Sequence, residues 1–230
     1  MAKLVNWKPD EWKGKAVKYK SYESYDQYLE HQKHGMKHKG ESVIFGRFNR
    51  DVERFKGNFK ELDWLLKDKK KAICLGARSG AEVKALRDLG IDAIGIDVEP
   101  GTNNKYVEYG DFHDIQYNDK LFNIIYTNVL DHVYDLPRCL DEIKRIMTDD
   151  GVFILEVVAG YEEDGWPGDH ESAYWAKAED LITEVEQYGF KRKTKIQKVP
   201  YCKGLPFRRV LLEKRWTQSD SSSGTTSGSL

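Results

Sequence analysis

The stretch KAICLGARSGAEVKALRDLGIDAIGID, Lys71 to Asp97, decides the fold. AICLG (72 to 76) is a short apolar run ending in a turn glycine, Ala81 to Leu89 carries apolar residues at helical spacing and stops at Gly90, and AIGID (93 to 97) is a second apolar run. Strand, helix, strand in so short a span is one βαβ unit, whose parallel strands need cover on both faces. Working outward, KYVEY (105 to 109), LFNIIYTNV (121 to 129) and VFILEVV (152 to 158, opened by Gly151) read as further strands, and Leu136, Leu140, Ile143 and Met147 share a helical face. A helix from about Ala176 to Tyr188 ends at Gly189, and two consecutive strands near 190 to 199 and 207 to 216 close the pattern. Upstream, Val52, Phe55, Phe59, Leu62 and Leu66 lie on one stripe of a helix from about Arg50 to Lys67. The pattern predicts an α/β fold: a mainly parallel sheet with helices on both faces and an antiparallel edge strand from the closing hairpin.

Residues 1–45 form an N-terminal extension, in which Tyr22, Tyr25, Tyr28 and Leu29 recur at helical spacing, and the principal domain spans 46–216. TQSDSSSGTTSGSL (217–230) has almost nothing to bury and reads as a disordered tail. With 40% hydrophobic and 33% charged residues over 230 positions, the chain suits a single core and excludes wholesale disorder. No apolar run approaches the roughly 18 residues of a membrane span, and MAKLVNWKPDEWKGK lacks the apolar stretch of a secretory signal, so a soluble cytoplasmic protein with no membrane partner is expected. Cys74, Cys139 and Cys202 form no CxxC pair and read as reduced thiols. Lys plus Arg is 37 against 38 Asp plus Glu, a net charge of -1 that gives no general reason to expect a nucleic acid. KRKTK (191 to 195), with Arg208, Arg209, Lys214 and Arg215, makes a basic edge, but alternation on exposed strand faces accounts for it.

In an open α/β sheet, ligands bind beyond the carboxyl ends of the strands, which directs attention to the turn LGARSGAEV. Gly76 lets the backbone turn and approach a ligand, Gly80 lets the next segment pass closely, and Ser79 is placed to cap the following helix. A dinucleotide GxGxxG counted from Gly76 would need glycine at Arg78 and Ala81, and no GxxxxGK[ST] is present, so NAD and ATP lose weight. Asp97 ends the next strand 21 positions after Gly76, where a carboxylate can accept from both hydroxyls of an unphosphorylated ribose. Asp111 could accept from an adenine amino group while Phe112 covers the ring. A nucleoside with a carboxylate-bearing tail fits these strand ends, and S-adenosyl-L-methionine answers that description.

ICLGARSGAEV, AIGIDVEP, YGDFHDI, FNIIYTNVLDHVYD and LDEIKRIMTDDGVFILEV together resemble the class I S-adenosylmethionine-dependent methyltransferases, most closely the methyltransferase type 11 group, over about residues 71 to 158. The resemblance implies a Rossmann-like class I methyltransferase fold with a seven-stranded sheet. It also implies that Gly76 and Gly80 sit beside the methionine part, Asp97 at the ribose and Asp111 with Phe112 at the adenine, with Ala77, Arg78, Val98 and Asn128 as further cofactor-binding candidates. Three positions depart from the family pattern: Arg78, the turn TDDG (148 to 151), and Asp131 of VLDH.

Methyl transfer from a sulfonium is an in-line displacement that needs alignment and exclusion of water, with a base optional. His132 falls at the mouth of the site as a candidate base, Asp131 is placed either to orient it or to face the donor, and His170 is a second candidate. Glu156 ends the neighbouring strand as a further pocket candidate. The insertion GYEEDGWPGDHESAYW (160 to 175) would lie where a substrate cover sits, with Trp166, Tyr174 and Trp175 able to close over an acceptor or to pin the loop. His31, His34 and His38 share a helical face interrupted by Gly35 with no carboxylate or thiol to complete a set, so no metal is assigned. TNVLDH is not the Asn/Asp-Pro-Pro-aromatic loop of base amino methylation, and no Pro-Cys nucleophile is present. The expectation is methyl transfer to an oxygen or nitrogen of a small molecule or conjugate. An RNA methyltransferase and a non-catalytic S-adenosylmethionine-binding module are the alternatives.

Overall fold

The computed structural model describes residues 12–13, 16–39, 46–163, 165, 168, 170–200 and 206–215. The expected tail, Cys202 and Trp166 lie outside them. Eleven strands and six helices are described: β1 Trp12–Lys13, β2 Val17–Lys20, α1 Tyr25–Lys39, α2 Phe48–Lys60, α3 Asp63–Leu66, β3 Lys71–Leu75, α4 Ala81–Asp88, β4 Asp92–Asp97, β5 Val107–Tyr109, β6 Phe122–Thr127, α5 Leu136–Ile146, β7 Met147–Val158, β8 Ala173–Trp175, α6 Ala178–Gln187, β9 Phe190–Arg192, β10 Gln197–Val199 and β11 Phe207–Lys214.

The period-2 geometry of β3 builds the two layers. Ala72 and Cys74 face α2 and α4, while Ile73 and Leu75 face the opposite layer with α5 and α6, and all four are buried. The main sheet has the order β10-β11-β7-β6-β3-β4-β5. Strands β5, β4, β3, β6 and β7 run parallel, with Ile73 opposite both Ile94 and Ile125. Strand β11 is antiparallel to β7. The penultimate strand of the sequence reading is broken into β9 and β10, which share the outer position along β11. The sheet is the mainly parallel, Rossmann-like one expected, with helices on both faces.

Local chemistry shifted several boundaries. The single helix expected from Arg50 to Lys67 is two, α2 and α3. Helix α5 starts on an Asp135 side chain that accepts from the Arg138 amide and has proline in its first turn. It stops at Ile146, because Met147 is already extended (ψ 135°) and opens β7 instead of completing the helical face. TDDG (148 to 151) loops out of the ladder, since the register passes from Phe122 opposite Met147 directly to Ile124 opposite Val152.

A second sheet, β1-β2-β8, was not legible in the sequence: Val17 pairs with Trp175 and Tyr19 with Ala173, tying the N-terminal segment to the end of the insertion. Helix α1 continues through Gly35 without a break and lays Tyr28 inside. Among the described residues no helix is long and apolar enough to cross a membrane.

Candidate functional site

The floor of the site is the loop between β3 and α4. Gly76 (φ +69°) and Gly80 (φ +77°) are both left-handed, and a Cβ would lie 2.2 Å from Val129 Cγ2 at the first and 2.5 Å from Tyr106 Cβ at the second. Glycine is required at both positions by conformation and by space. Gly80 is itself the N-cap of α4 and no side chain caps the helix, so Ser79 does not have the capping role expected of it. Ala77 is buried rather than presented outward, and its amide and that of Gly76 donate to the Ile96 carbonyl at 3.1 and 2.9 Å. Arg78 also holds a positive φ of 44°, which costs a non-glycine residue roughly 1–2 kcal/mol. It is held from both sides: its amide donates to Asp97 Oδ2 at 2.9 Å and its carbonyl accepts from Asn104 Nδ2 at 2.8 Å. Asn104 Oδ1 then accepts from the Tyr106 and Val107 amides, so one side chain joins the glycine loop to β5.

Asp97, at the end of β4, takes a second backbone donor on Oδ1, the Glu99 amide at 2.8 Å. Burial pushes its pKa upward, and the charge of Arg78 and the two amide bonds work against that rise. Each carboxylate oxygen retains acceptor capacity after one such bond. The cleft is walled by Gly76, Arg78, Asp97 and Val98 on the floor side and by Phe112, Val129 and His132 opposite. Val129, which packs on Gly76, stands on the wall where Asn128 was expected. Below the loop, Glu82 in the first turn of α4 is buried and its pKa is pushed up to about 8, mainly by desolvation, with the Asp97 charge adding to the rise and Arg54 opposing it.

Asp111 was expected to face an adenine. Its carboxylate instead ties the roof to the floor: Oδ2 accepts from the Tyr25 hydroxyl of α1, and Oδ1 accepts from the His113 amide (2.8 Å) and meets its Nδ1 (2.9 Å). The buried His113 accepts on Nε2 from the Tyr134 and Asp135 amides, so Nδ1 carries the proton shared with Asp111. Burial draws the Asp111 pKa upward, but the bonds from His113 and Tyr25 outweigh it and hold the carboxyl below its usual range.

The roof is α1. Tyr28 and Gln32 line the cleft, and the Tyr28 hydroxyl donates to the His132 carbonyl at 3.1 Å. His132 Nδ1 lies 2.8 Å from Gln32 Oε1 and 3.0 Å from the His170 carbonyl, which brings two of the three expected catalytic residues together. The third, Asp131, is beside them, its carbonyl accepting from the Ser172 amide at 2.7 Å. The His170 ring packs against His31 and His34 of α1, with centroids 5.5 and 6.2 Å away. Asp131, His132 and Glu171 each offer a ligand-type atom, all within 4.8 Å of one another, a half-buried acid and imidazole cluster at the mouth. Tyr25, Gln32 and Glu171 were missed because their partners are far away in sequence, and Asn104 because its bond to the Arg78 carbonyl spans 26 positions and no local spacing announces it.

Other expectations are corrected. Glu156 neither lines the cleft nor reaches the surface. It is buried, accepting from Tyr126 Oη (2.8 Å) and pairing with Arg209 Nε (3.0 Å). Of the two roles expected for Tyr174 and Trp175, they take the second: both are buried and pin the insertion, with Trp175 Nε1 donating to the Val158 carbonyl at 3.0 Å. The basic edge is largely neutralised. Arg209 lies inside, Arg192 pairs with Glu179 and Glu186, and Lys193 pairs with Glu213.

A family model described as a methyltransferase domain matches residues 47–195. Among solved structures, the chain is similar to the Burkholderia thailandensis 1,6-didemethyltoxoflavin-N1-methyltransferase with bound 1,6-didemethyltoxoflavin and S-adenosylhomocysteine, at 16% identity and a TM-score of 0.64 over 89% of this chain and 99% of that one. A SAM-dependent methyltransferase from Archaeoglobus fulgidus aligns at 15% identity and TM-score 0.60, covering 76% of this chain and 100% of that one. The [4+2]-cyclase SpnF aligns at 14% identity and TM-score 0.55, over 70% and 80% of the two chains. No curated protein sequence matches the chain.

Proposed function

Because the chain belongs to the methyltransferase-domain family and is an S-adenosylmethionine-dependent methyltransferase, we propose that it methylates an oxygen or nitrogen of a small molecule or modest conjugate held under α1. When bound, S-adenosylmethionine supplies an electrophilic methyl group on a sulfonium. Asp97 accepts from the ribose hydroxyls with the lone pairs that its two amide bonds leave over. Phe112 and Val98 cover the adenine and sugar, and the Arg78 guanidinium, on the same wall, pairs with the carboxylate of the tail. Tyr28 and Gln32 close the cleft from above and exclude water, which raises the reactivity of the acceptor. His132 takes the acceptor's proton at the mouth, with Asp131 and His170 around it.

Asp97 is the observation that carries this reading. It is a half-buried carboxylate at a strand end, fixed by two backbone amides and facing a cleft whose loop lacks the glycines a dinucleotide needs. The neutralised basic edge favours a small acceptor over RNA. Calorimetry with S-adenosylhomocysteine tests the reading. Wild type should bind it and ignore NAD, and Asp97→Ala should weaken binding by about 30-fold or more, because about 2 kcal/mol of charge-assisted hydrogen bonding is lost. Equal affinity in wild type and variant would remove Asp97 from the donor site.

A further inference from the structure

We propose that Gln32 is a positioning residue that fixes His132 in its Nδ1-protonated form and so presents Nε2 as the basic atom at the mouth of the donor cleft. The assignment follows from which partners can only accept. The Gln32 amide contacts the His170 carbonyl at 3.0 Å and Ser172 Oγ at 2.9 Å. A carbonyl cannot donate, so the atom facing it is the amide nitrogen, and the opposite end of the amide is the oxygen. That oxygen lies 2.8 Å from His132 Nδ1, which also lies 3.0 Å from the His170 carbonyl. Facing two acceptors, Nδ1 must carry the hydrogen, and a neutral imidazole then has its lone pair on Nε2. Gln32 is itself held in place: Ser172 Oγ meets the Tyr22 hydroxyl at 2.7 Å, and that hydroxyl meets His31 Nδ1 at 2.8 Å. The one amide therefore reads the insertion loop and the catalytic turn together.

Gln32 lies outside residues 47–195, so the family match alone does not include it. The titratable groups around His132 are Asp131 on its own turn, Glu171 and His170 from the insertion, and Tyr22, Tyr28 and His31 from the N-terminal segment. They are common to every variant below and cancel in the comparison. The inference rests on the methyltransferase reading only for what Nε2 then does.

The test is a long-range proton–nitrogen spectrum of the nitrogen-15-labelled full chain, with the His132 ring assigned by comparison with His132→Asn. The expected wild-type result is the Nδ1–H tautomer. Gln32→Leu, which removes one acceptor from Nδ1 and also releases the His170 carbonyl that the Gln32 amide holds against it, should lose that single tautomer. Gln32→Glu, whose carboxylate also accepts from Nδ1, should keep it and raise the His132 titration midpoint by about one pH unit. An Nε2–H tautomer in wild type, or a tautomer and midpoint unchanged in both variants, would overturn the proposal. Calorimetry with S-adenosylhomocysteine on the same samples separates the two readings: an Nδ1–H wild type that binds none of it sinks the donor site and leaves the Gln32 assignment standing.

Discussion

Glu82 offers the sharpest physical test of the loop architecture. Its carboxyl is buried in the first turn of α4, beneath the glycine loop, and its pKa rises from 4.5 to about 8. The folded-state value lies above the unfolded one, so its contribution to stability is fully present below pH 4.5. It declines as the unfolded chain ionises and the folded chain holds its proton, and it levels off above about pH 8. At 1.36 kcal/mol per pH unit, a proton held over that interval corresponds to about 5 kcal/mol. Glu82→Gln keeps the shape and the hydrogen-bonding capacity but cannot ionise. Wild type and variant should therefore be close in stability at pH 4.5, and the variant should be more stable by several kcal/mol at pH 9. Urea unfolding midpoints at both values give the comparison directly, and other titrating groups cancel because both chains share them. A stability difference that stays constant within about 0.5 kcal/mol from pH 4.5 to 9 would show that Glu82 ionises normally in the folded state. The same protonation matters to ligand binding, since a neutral Glu82 leaves Asp97 as the charged acceptor of the pair.

Three further outcomes are expected. Gly76→Ala should cost about 2–4 kcal/mol, combining the left-handed backbone with a Cβ 2.2 Å from Val129 Cγ2, and Val129→Ala in the same chain should restore the steric part in thermal melts. Glu156→Gln, by leaving Arg209 short of its buried partner, should destabilise by about 3–5 kcal/mol, whereas replacing both residues by apolar ones of similar volume together with Tyr126→Phe, which removes the hydroxyl that Glu156 accepts from, should be nearly neutral; equal losses in the two cases would contradict the ion-pair account. Tyr25→Phe should cost about 1–3 kcal/mol at pH 7 by removing a donor from Asp111. Because the Asp111 pKa is depressed in the folded state, that loss should shrink as the pH falls below 3.8, which denaturation at pH 3 and pH 7 would reveal.

What could be read from the chain alone was what repeats along it. The short apolar run AICLG announced a buried strand, Gly76 and Gly80 marked the turn after it, and Asp97 stood at a strand end at ribose spacing, whereas the assignment of Ile73 and Cys74 to opposite layers came only with the fold. What escaped were pairings between distant segments. Asp111 was legible as an acid at a strand end, but not that Tyr25, 86 positions earlier, would claim it. Glu156 and Arg209 looked like a pocket acid and a surface base, and they are one buried pair because β11 runs antiparallel beside β7 and places them opposite each other. Met147 fitted the helical stripe of α5 and was claimed by the sheet, a tertiary preference that periodicity cannot express.

The pairing of β2 with β8 and the seating of α1 over the cleft divide the molecule into a common hearth and an interchangeable lintel. The sheet ends would hold the donor, while the covering pieces come from two stretches that meet only in space. Grafting 16–39 together with 160–175 from one such chain onto another should transfer acceptor preference as a unit. Either stretch moved alone would arrive without its hydrogen-bonding counterpart.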